Sequence, residues 1–153
     1  MLAEEGSMAG SQSLPKPDLP TPQARSYIRI LVVDDHEMIR QSLRRLINTY
    51  RNMEVVGEAG DGVEAIEAVS VLRPDVVLMD IDMPRMNGIE ATKRIKATFP
   101  CTAIIGLSVQ LAGNIIQQMR TAGICSYLPK ESAVAVLRQA IEEAASFRGW
   151  SRI

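Results

Sequence analysis

The sequence predicts an α/β domain built as a doubly wound, five-stranded parallel sheet in three α/β/α layers. Two observations carry this. Five short runs of strand-forming residues alternate strictly with five amphipathic stretches, and such alternation demands parallel strands, right-handed crossovers and helices on both faces. The residues at the ends of the runs are few and polar, as expected where reactive groups collect beyond the carboxyl ends of the strands.

The first strand is read at Ile28 to Val33, rich in β-branched residues. Helical spacing then places Ile39, Leu43, Leu46 and Ile47 on one face. Glu54 to Ala59 form the second strand, and Asp61 stands where it can cap a second helix whose inner face carries Ala65, Ala68, Val69 and Leu72. The third strand is Val76 to Met79, and Gly88 opens a third helix with Ile89, Thr92, Ile95 and Phe99 on one side. Ala103 to Leu107 follow as the fourth strand. The helix from Leu111 to Ala122 directs Ile115, Ile116 and Met119 inward and ends at Gly123, a left-handed cap. Ser126 to Leu128 make a short fifth strand, and Ser132 to Phe147 a last helix with Val134, Leu137, Ile141 and Ala144 inward.

A chain of 153 residues with 46% hydrophobic side chains supports one compact domain. Residues 1–26 contain Pro15, Pro17, Pro20 and Pro22 among Ser, Gly and Gln, and read as a flexible leader or linker. The domain spans 27–147, and 148–153 form a C-terminal tail. The 17 basic and 18 acidic residues are scattered, with a net charge of -1, so no basic stripe exists to neutralise a nucleic-acid backbone and no nucleic-acid partner is expected. No apolar run approaches the roughly 18 residues of a membrane span, and no apolar signal core opens the chain. The expectation is a cytoplasmic chain without a membrane partner. Cys101 and Cys125 lack a Cys or His at ligand spacing and are read as small core hydrophobes.

The chemistry is expected at the strand ends. The first strand runs into Asp34 and Asp35 and the third into Asp80, so three carboxylates converge at one edge of the sheet. Their mutual repulsion is tolerable if a divalent cation compensates it, and oxygen ligands of this kind suit Mg²⁺. Asp35 and Asp80 are the leading direct ligands. The fourth strand leads to Ser108, whose hydroxyl can donate to a phosphoryl oxygen, and the fifth to Lys130, whose ammonium can neutralise the same charge. Phosphoryl transfer needs positioning and charge neutralisation more than covalent machinery. Asp80 is accordingly read as a carboxylate nucleophile. His36, the sole histidine, stands at a helix start beside Asp35 and is read as a capping or rim residue, not a phosphodonor.

These residues together resemble the receiver domains of bacterial two-component response regulators, over about Ile28 to Ala145. The stretch Met79-Asp80-Ile81-Asp82-Met83-Pro84-Arg85-Met86-Asn87-Gly88 is similar to the family's loop after the phosphoacceptor. The resemblance implies a flavodoxin-like sheet, with Asp34 and Asp35 as the acidic metal pair and Asp80 as the phosphoacceptor. It implies Ser108 and Tyr127 as the switch pair, Lys130 as the charge-neutralising lysine, and Asp82 as a metal ligand through its backbone carbonyl. The implied donor is a sensor histidine kinase or a histidine phosphotransfer domain. Separately, Met38 and Ser42, near the metal pair, are expected to help dock it. The implied output face is the fourth helix, fifth strand and fifth helix, with Gln110, Asn114, Gln118 and Arg138 exposed, where a homodimer can form. The implied activity is signalling with self-catalysed phosphotransfer and dephosphorylation rather than turnover of a substrate.

One departure concerns the proline that many receivers carry directly after the lysine. Here Pro129 precedes Lys130 and Glu131 follows. Val33-Asp34-Asp35-His36-Glu37-Met38 is similar to receivers that precede a helix-turn-helix domain, and the Pro-rich leader fits a piece of a longer chain, either a hybrid histidine kinase or a DNA-binding regulator. Three other functions fit the residues less well. A haloacid-dehalogenase-type phosphatase needs an acidic pair beyond the lysine, whereas Glu142-Glu143 fall inside a helix. A nucleotide or flavin module needs phosphate-cradling glycines after the first strand, which are absent. A phosphorylation-independent interaction module has no need of the intact reactive residues.

Overall fold

The structure, a computed structural model, describes residues 27–109 and 112–146. The leader, Gln110, Leu111 and everything from Phe147 onward lie outside the described residues. In chain order the elements are β1 (Ile28–Val33), α1 (Glu37–Ile47), β2 (Met53–Ala59), α2 (Gly62–Leu72), β3 (Val76–Asp80), α3 (Gly88–Thr98), β4 (Ala103–Ser108), α4 (Gly113–Ala122), β5 (Ser126–Pro129) and α5 (Ala133–Ser146). A single 3-10 turn, Lys130–Ser132, joins β5 to α5.

The five strands form one sheet in the order β2-β1-β3-β4-β5, and every pair is parallel. Pleating sends alternate side chains to opposite faces, which divides the core in two. Ile30, Val32, Leu78 and Ile105 face α1 and α5, where Leu43, Ile47, Leu137 and Ile141 meet them. Leu31, Val33, Met79 and Ile104 face α2, α3 and α4, where Val69, Ile95 and Met119 close the layer. These strand residues are fully buried, each contributing roughly 1.5–3 kcal/mol by leaving water. The doubly wound sandwich and its strand alternation are therefore as expected.

Local chemistry sets the helix ends. The Asp61 carboxylate accepts from the Glu64 backbone N–H at the start of α2, and Asn87 accepts from that of Glu90 at the start of α3. Gly123 closes α4 with φ +108°, a conformation that favours glycine.

Two expectations need correction. Val134 is 62% exposed rather than buried, because α5 begins at Ala133, and Ala133, Leu137, Ala140, Ile141 and Ala144 form its inner stripe. Cys101 and Cys125 are both exposed, since each lies in the short connection before a strand and not on an inward-facing position. His36, read as a capping or rim residue, is the latter: it is exposed and makes no side-chain cap, and its ring leans onto carboxylates. Among the described residues there is no cis peptide bond, and Lys130 passes directly into the 3-10 turn. None of their helices is long and apolar enough to cross a membrane.

Candidate functional site

Strand register brings the reactive residues level. Val33 pairs with Met79, so Asp34 and Asp80 emerge side by side from β1 and β3. Asp80 pairs with Leu107, and Ser108 pairs with Pro129, the residue before Lys130. Four neighbouring strands thus deliver an acid, an acid, a hydroxyl and an ammonium to one end of the sheet.

The geometry is tight. Lys130 Nζ lies 3.0 Å from Asp34 Oδ2 and 3.1 Å from Asp80 Oδ1. Both carboxylates are completely buried, at 0% exposure. Asp80 Oδ1 also accepts from the Asp82 backbone N–H at 3.0 Å, while Asp80 Oδ2 has no hydrogen-bond partner among the described residues. Ser108, buried at the end of β4, donates to Asp82 Oδ2 over 3.4 Å, a long hydrogen bond. Asp82 itself is exposed. Tyr127 is half-buried against the face of the sheet that carries α3 and α4.

Electrostatics follow from that placement. Burial, and then the neighbouring Asp34 charge, raise the Asp80 carboxyl from 3.8 to about 6, against the pull of Lys130 and the Asp82 N–H. Burial works against the Lys130 ammonium, yet Asp34 and Asp80 hold its pKa above the usual lysine value. Three carboxylates against one ammonium leave the pocket short of positive charge.

Asp34, Asp35, His36 and Asp80 each offer a ligand atom, all within 4.8 Å of one another. The buried, unpartnered oxygen of Asp80 and the surplus of hard oxygen donors fit a Mg²⁺ ion, which prefers such ligands. The fit is one of chemistry: the residues present are those the ion needs.

Among the surroundings, Arg40 and Arg44 are residues that the sequence reading did not single out. The Arg40 guanidinium donates to the Asp34 carbonyl at 2.6 Å and to Glu58 at 3.0 Å, and Arg44 donates to the other Glu58 oxygen at 2.7 Å. The chain leaving β1 is thereby tied to β2. The only cue in the sequence was the i, i+4 spacing of the two arginines. Arg85, with φ +65°, pairs with Asp61 and so fastens the loop after Asp80 to the start of α2. A Cβ at Gly88 would overlap the Asp80 carbonyl oxygen, so glycine lets α3 begin directly against the Asp80 backbone. Met38 is 80% exposed, and Ser42 lines a cavity of about 190 Å³ with Ile39, Leu43, Leu107, Ala133 and Val134, reaching Lys130. Asn114, Gln118 and Arg138 are exposed; Gln110 lies outside the described residues.

Comparison with known proteins agrees with this architecture. The family model described as a response regulator receiver domain matches residues 30–142. The transcriptional regulatory protein LiaR of Bacillus subtilis is 41% identical over 117 residues, which cover 76% of this chain and 56% of that protein. Among solved structures, the response regulator domain of Thermotoga maritima CheB superposes with a TM-score of 0.73 at 34% identity, covering 78% of this chain and 97% of that one. A two-component response regulator of the LuxR family from Aurantimonas superposes with a TM-score of 0.76 at 36% identity, covering 80% and 88%. The chain spans about half the length of the curated relatives it matches most strongly.

Proposed function

This chain belongs to the response regulator receiver domain family, and from that membership we propose that Asp80 is its phosphoacceptor within a two-component pathway. The observation that carries the assignment is the buried Asp80 carboxylate, one oxygen held by Lys130 and the Asp82 N–H, the other without a hydrogen bond. In the proposed step an Asp80 oxygen attacks the phosphorus of a phosphohistidine. A P–O bond forms, the P–N bond breaks, and its electron pair returns to the imidazole nitrogen of the donor, giving an aspartyl phosphate.

Each neighbour has a distinct task. Lys130 orients the nucleophile and meets charge that spreads onto the phosphoryl oxygens. Asp34 and Asp35, with Asp80 and the backbone carbonyl of Asp82, are the residues that would hold Mg²⁺. When bound there, the ion supplies positive charge to offset the carboxylates and the incoming phosphoryl group. Ser108 is the hydroxyl that turns toward the new phosphoryl oxygens, and Tyr127 is the side chain that fills the space it leaves. Hydrolysis of the aspartyl phosphate by water at the same site would reset the domain, so the phosphotransfer and its reversal are self-catalysed.

The donor is a sensor histidine kinase or a histidine phosphotransfer domain, and the exposed Met38 and Ser42 beside the α1/α5 cavity support docking there. The output face is formed by α4, β5 and α5, available for a homodimer or for an output domain of the kind found in the longer relatives. Incubation with Mg²⁺ and acetyl phosphate, read by intact mass, tests the central assignment. One added phosphoryl group is expected in the wild type and none in Asp80→Asn; labelling of both, or of neither, refutes it.

A further inference from the structure

We propose that His36 makes the acidic pocket a mixed nitrogen and oxygen site, able to take a borderline divalent ion such as Zn²⁺ through an imidazole ligand. The inference rests on the reading of the pocket as a divalent-cation site and adds a ligand that Mg²⁺ does not seek. His36 Nδ1 lies 3.1 Å from Asp34 Oδ1 and 3.1 Å from Asp35 Oδ1. Ligand atoms about 2.1 Å from one metal ion are separated by about 3 Å along an octahedral edge and somewhat more along a tetrahedral one. The ring nitrogen therefore stands at ligand-to-ligand spacing from an oxygen of each carboxylate.

The ring nitrogen is in hydrogen-bond contact with Asp34 Oδ1, while Asp35 Oδ1, also at 3.1 Å, has no hydrogen-bond partner among the described residues. Asp34 Oδ1 is independently fixed by the His36 backbone N–H at 2.8 Å, so the peptide that carries the ring also positions its neighbouring ligand. The fully buried Asp80 contributes an oxygen within 4.8 Å of the other ligand atoms, and its Oδ2 has no hydrogen-bond partner among the described residues. A buried carboxylate oxygen left unsatisfied in a cluster of nitrogen and oxygen donors is chemistry that a cation completes. Imidazole favours Zn²⁺, Co²⁺ and Ni²⁺ over Mg²⁺, and affinity for such sites follows the same order. The ring is 63% exposed, so it can adjust onto an ion without disturbing the core.

His36 is the sole histidine in the chain, which makes its imidazole nitrogens a direct reporter in ¹⁵N NMR of the tag-free protein at pH 7.5. One equivalent of Zn²⁺ is expected to shift the Nδ1 resonance, while saturating Mg²⁺ shifts backbone amides of residues 34–36 and 80–82 but not the ring nitrogen. Asp35→Asn should abolish the zinc-induced ring shift. His36→Gln should lower the ratio of Zn²⁺ to Mg²⁺ affinity by about ten-fold or more, the usual scale for loss of a metal-supporting residue. Zinc that moves the pocket amides without moving Nδ1 overturns the proposal, as does a ring shift that survives in Asp35→Asn. If neither ion perturbs the pocket, the cation-site reading itself fails, an outcome separable from the first two.

Discussion

Replacing Asp80 by Asn in the metal-free protein is expected to make the domain more stable at neutral pH, by an amount set by the burial of the carboxylate. Burial and the adjacent Asp34 charge raise this carboxyl from 3.8 to about 6. At about 1.4 kcal/mol for each pH unit, keeping Asp80 ionised in the folded chain costs about 3 kcal/mol relative to the unfolded chain. The folded state holds the proton more tightly than the unfolded state, so wild-type stability falls as pH rises from 3.8 to about 6. Above that interval the full cost is present; below it both states are protonated and the cost vanishes. An isosteric amide carries no charge at any of these values. Urea unfolding followed by far-ultraviolet circular dichroism, with EDTA present, should give the Asp80→Asn variant an advantage of about 3 kcal/mol at pH 7.5 and little at pH 4.0. Added Mg²⁺ should narrow the gap at pH 7.5, because an ion at a hundred times its Kd stabilises the wild type by about 2.7 kcal/mol and a site short of one carboxylate by less. A variant no more stable than wild type at pH 7.5, or equally favoured at pH 4.0, would refute the electrostatic account.

Three further substitutions probe the supports of the site. Gly88→Ala places a methyl group into the Asp80 carbonyl oxygen; a loss of about 1–3 kcal/mol is expected in the same urea titration, with slower labelling by acetyl phosphate. Arg40→Met removes the hydrogen bond to the Asp34 carbonyl and one of the two that hold Glu58; stability should fall by about 1.5–3 kcal/mol, and isothermal titration should find weaker Mg²⁺ binding. Asp61→Ala deletes the α2 cap, a loss of about 1 kcal/mol at pH 7. The Glu64 N–H and then Arg85 hold the Asp61 carboxyl below its ordinary 3.8, so this stabilisation is present above 3.8 and is lost as pH falls through the lower folded value. A thermal-melt series from pH 7 to pH 3 should show the two proteins converging at the acid end.

Much of the fold was legible because its signals are local. Runs such as Ile28–Val33 and Val76–Asp80 combine strand residues with strand length, and the alternation with helices leaves one economical topology. Asp34, Asp80, Ser108 and Lys130 were legible as a group for the same reason, since each directly follows or ends a strand and parallel pairing carries all four to one edge. What was not legible depends on side-chain direction and on the neighbours of a surface. Val134 fits helical spacing with Leu137 and Ile141 as well as Ala133 does; the start of α5 after the 3-10 turn turns it to the rim of the α1/α5 cavity. Arg40 looks like any polar-face arginine until β2 sets Glu58 beside it. The sequence places His36 next to two acids but does not reveal that its ring folds back onto both.

The charge balance of the pocket would give the proposed switch its direction. The pocket sets three carboxylates against Lys130, and burial, then the neighbouring Asp34 charge, raise the Asp80 carboxyl. Asp34, Asp35 and Asp80 would hold a divalent ion whose charge offsets this excess and favours the ionised, nucleophilic form of Asp80. Phosphorylation there would exchange the single charge of Asp80 for a phosphoryl group carrying close to two, and the imbalance would return with acceptor oxygens that need donors. Lys130 is already committed to Asp34 and Asp80 at 3.0 and 3.1 Å. Ser108 is the hydroxyl at the adjacent strand end, and its bond to Asp82 is long, at 3.4 Å, whereas one to a phosphoryl oxygen would be charge-assisted. In the proposed switch, movement of Ser108 and repacking of half-buried Tyr127 behind it would answer that electrostatic demand at the strand edge.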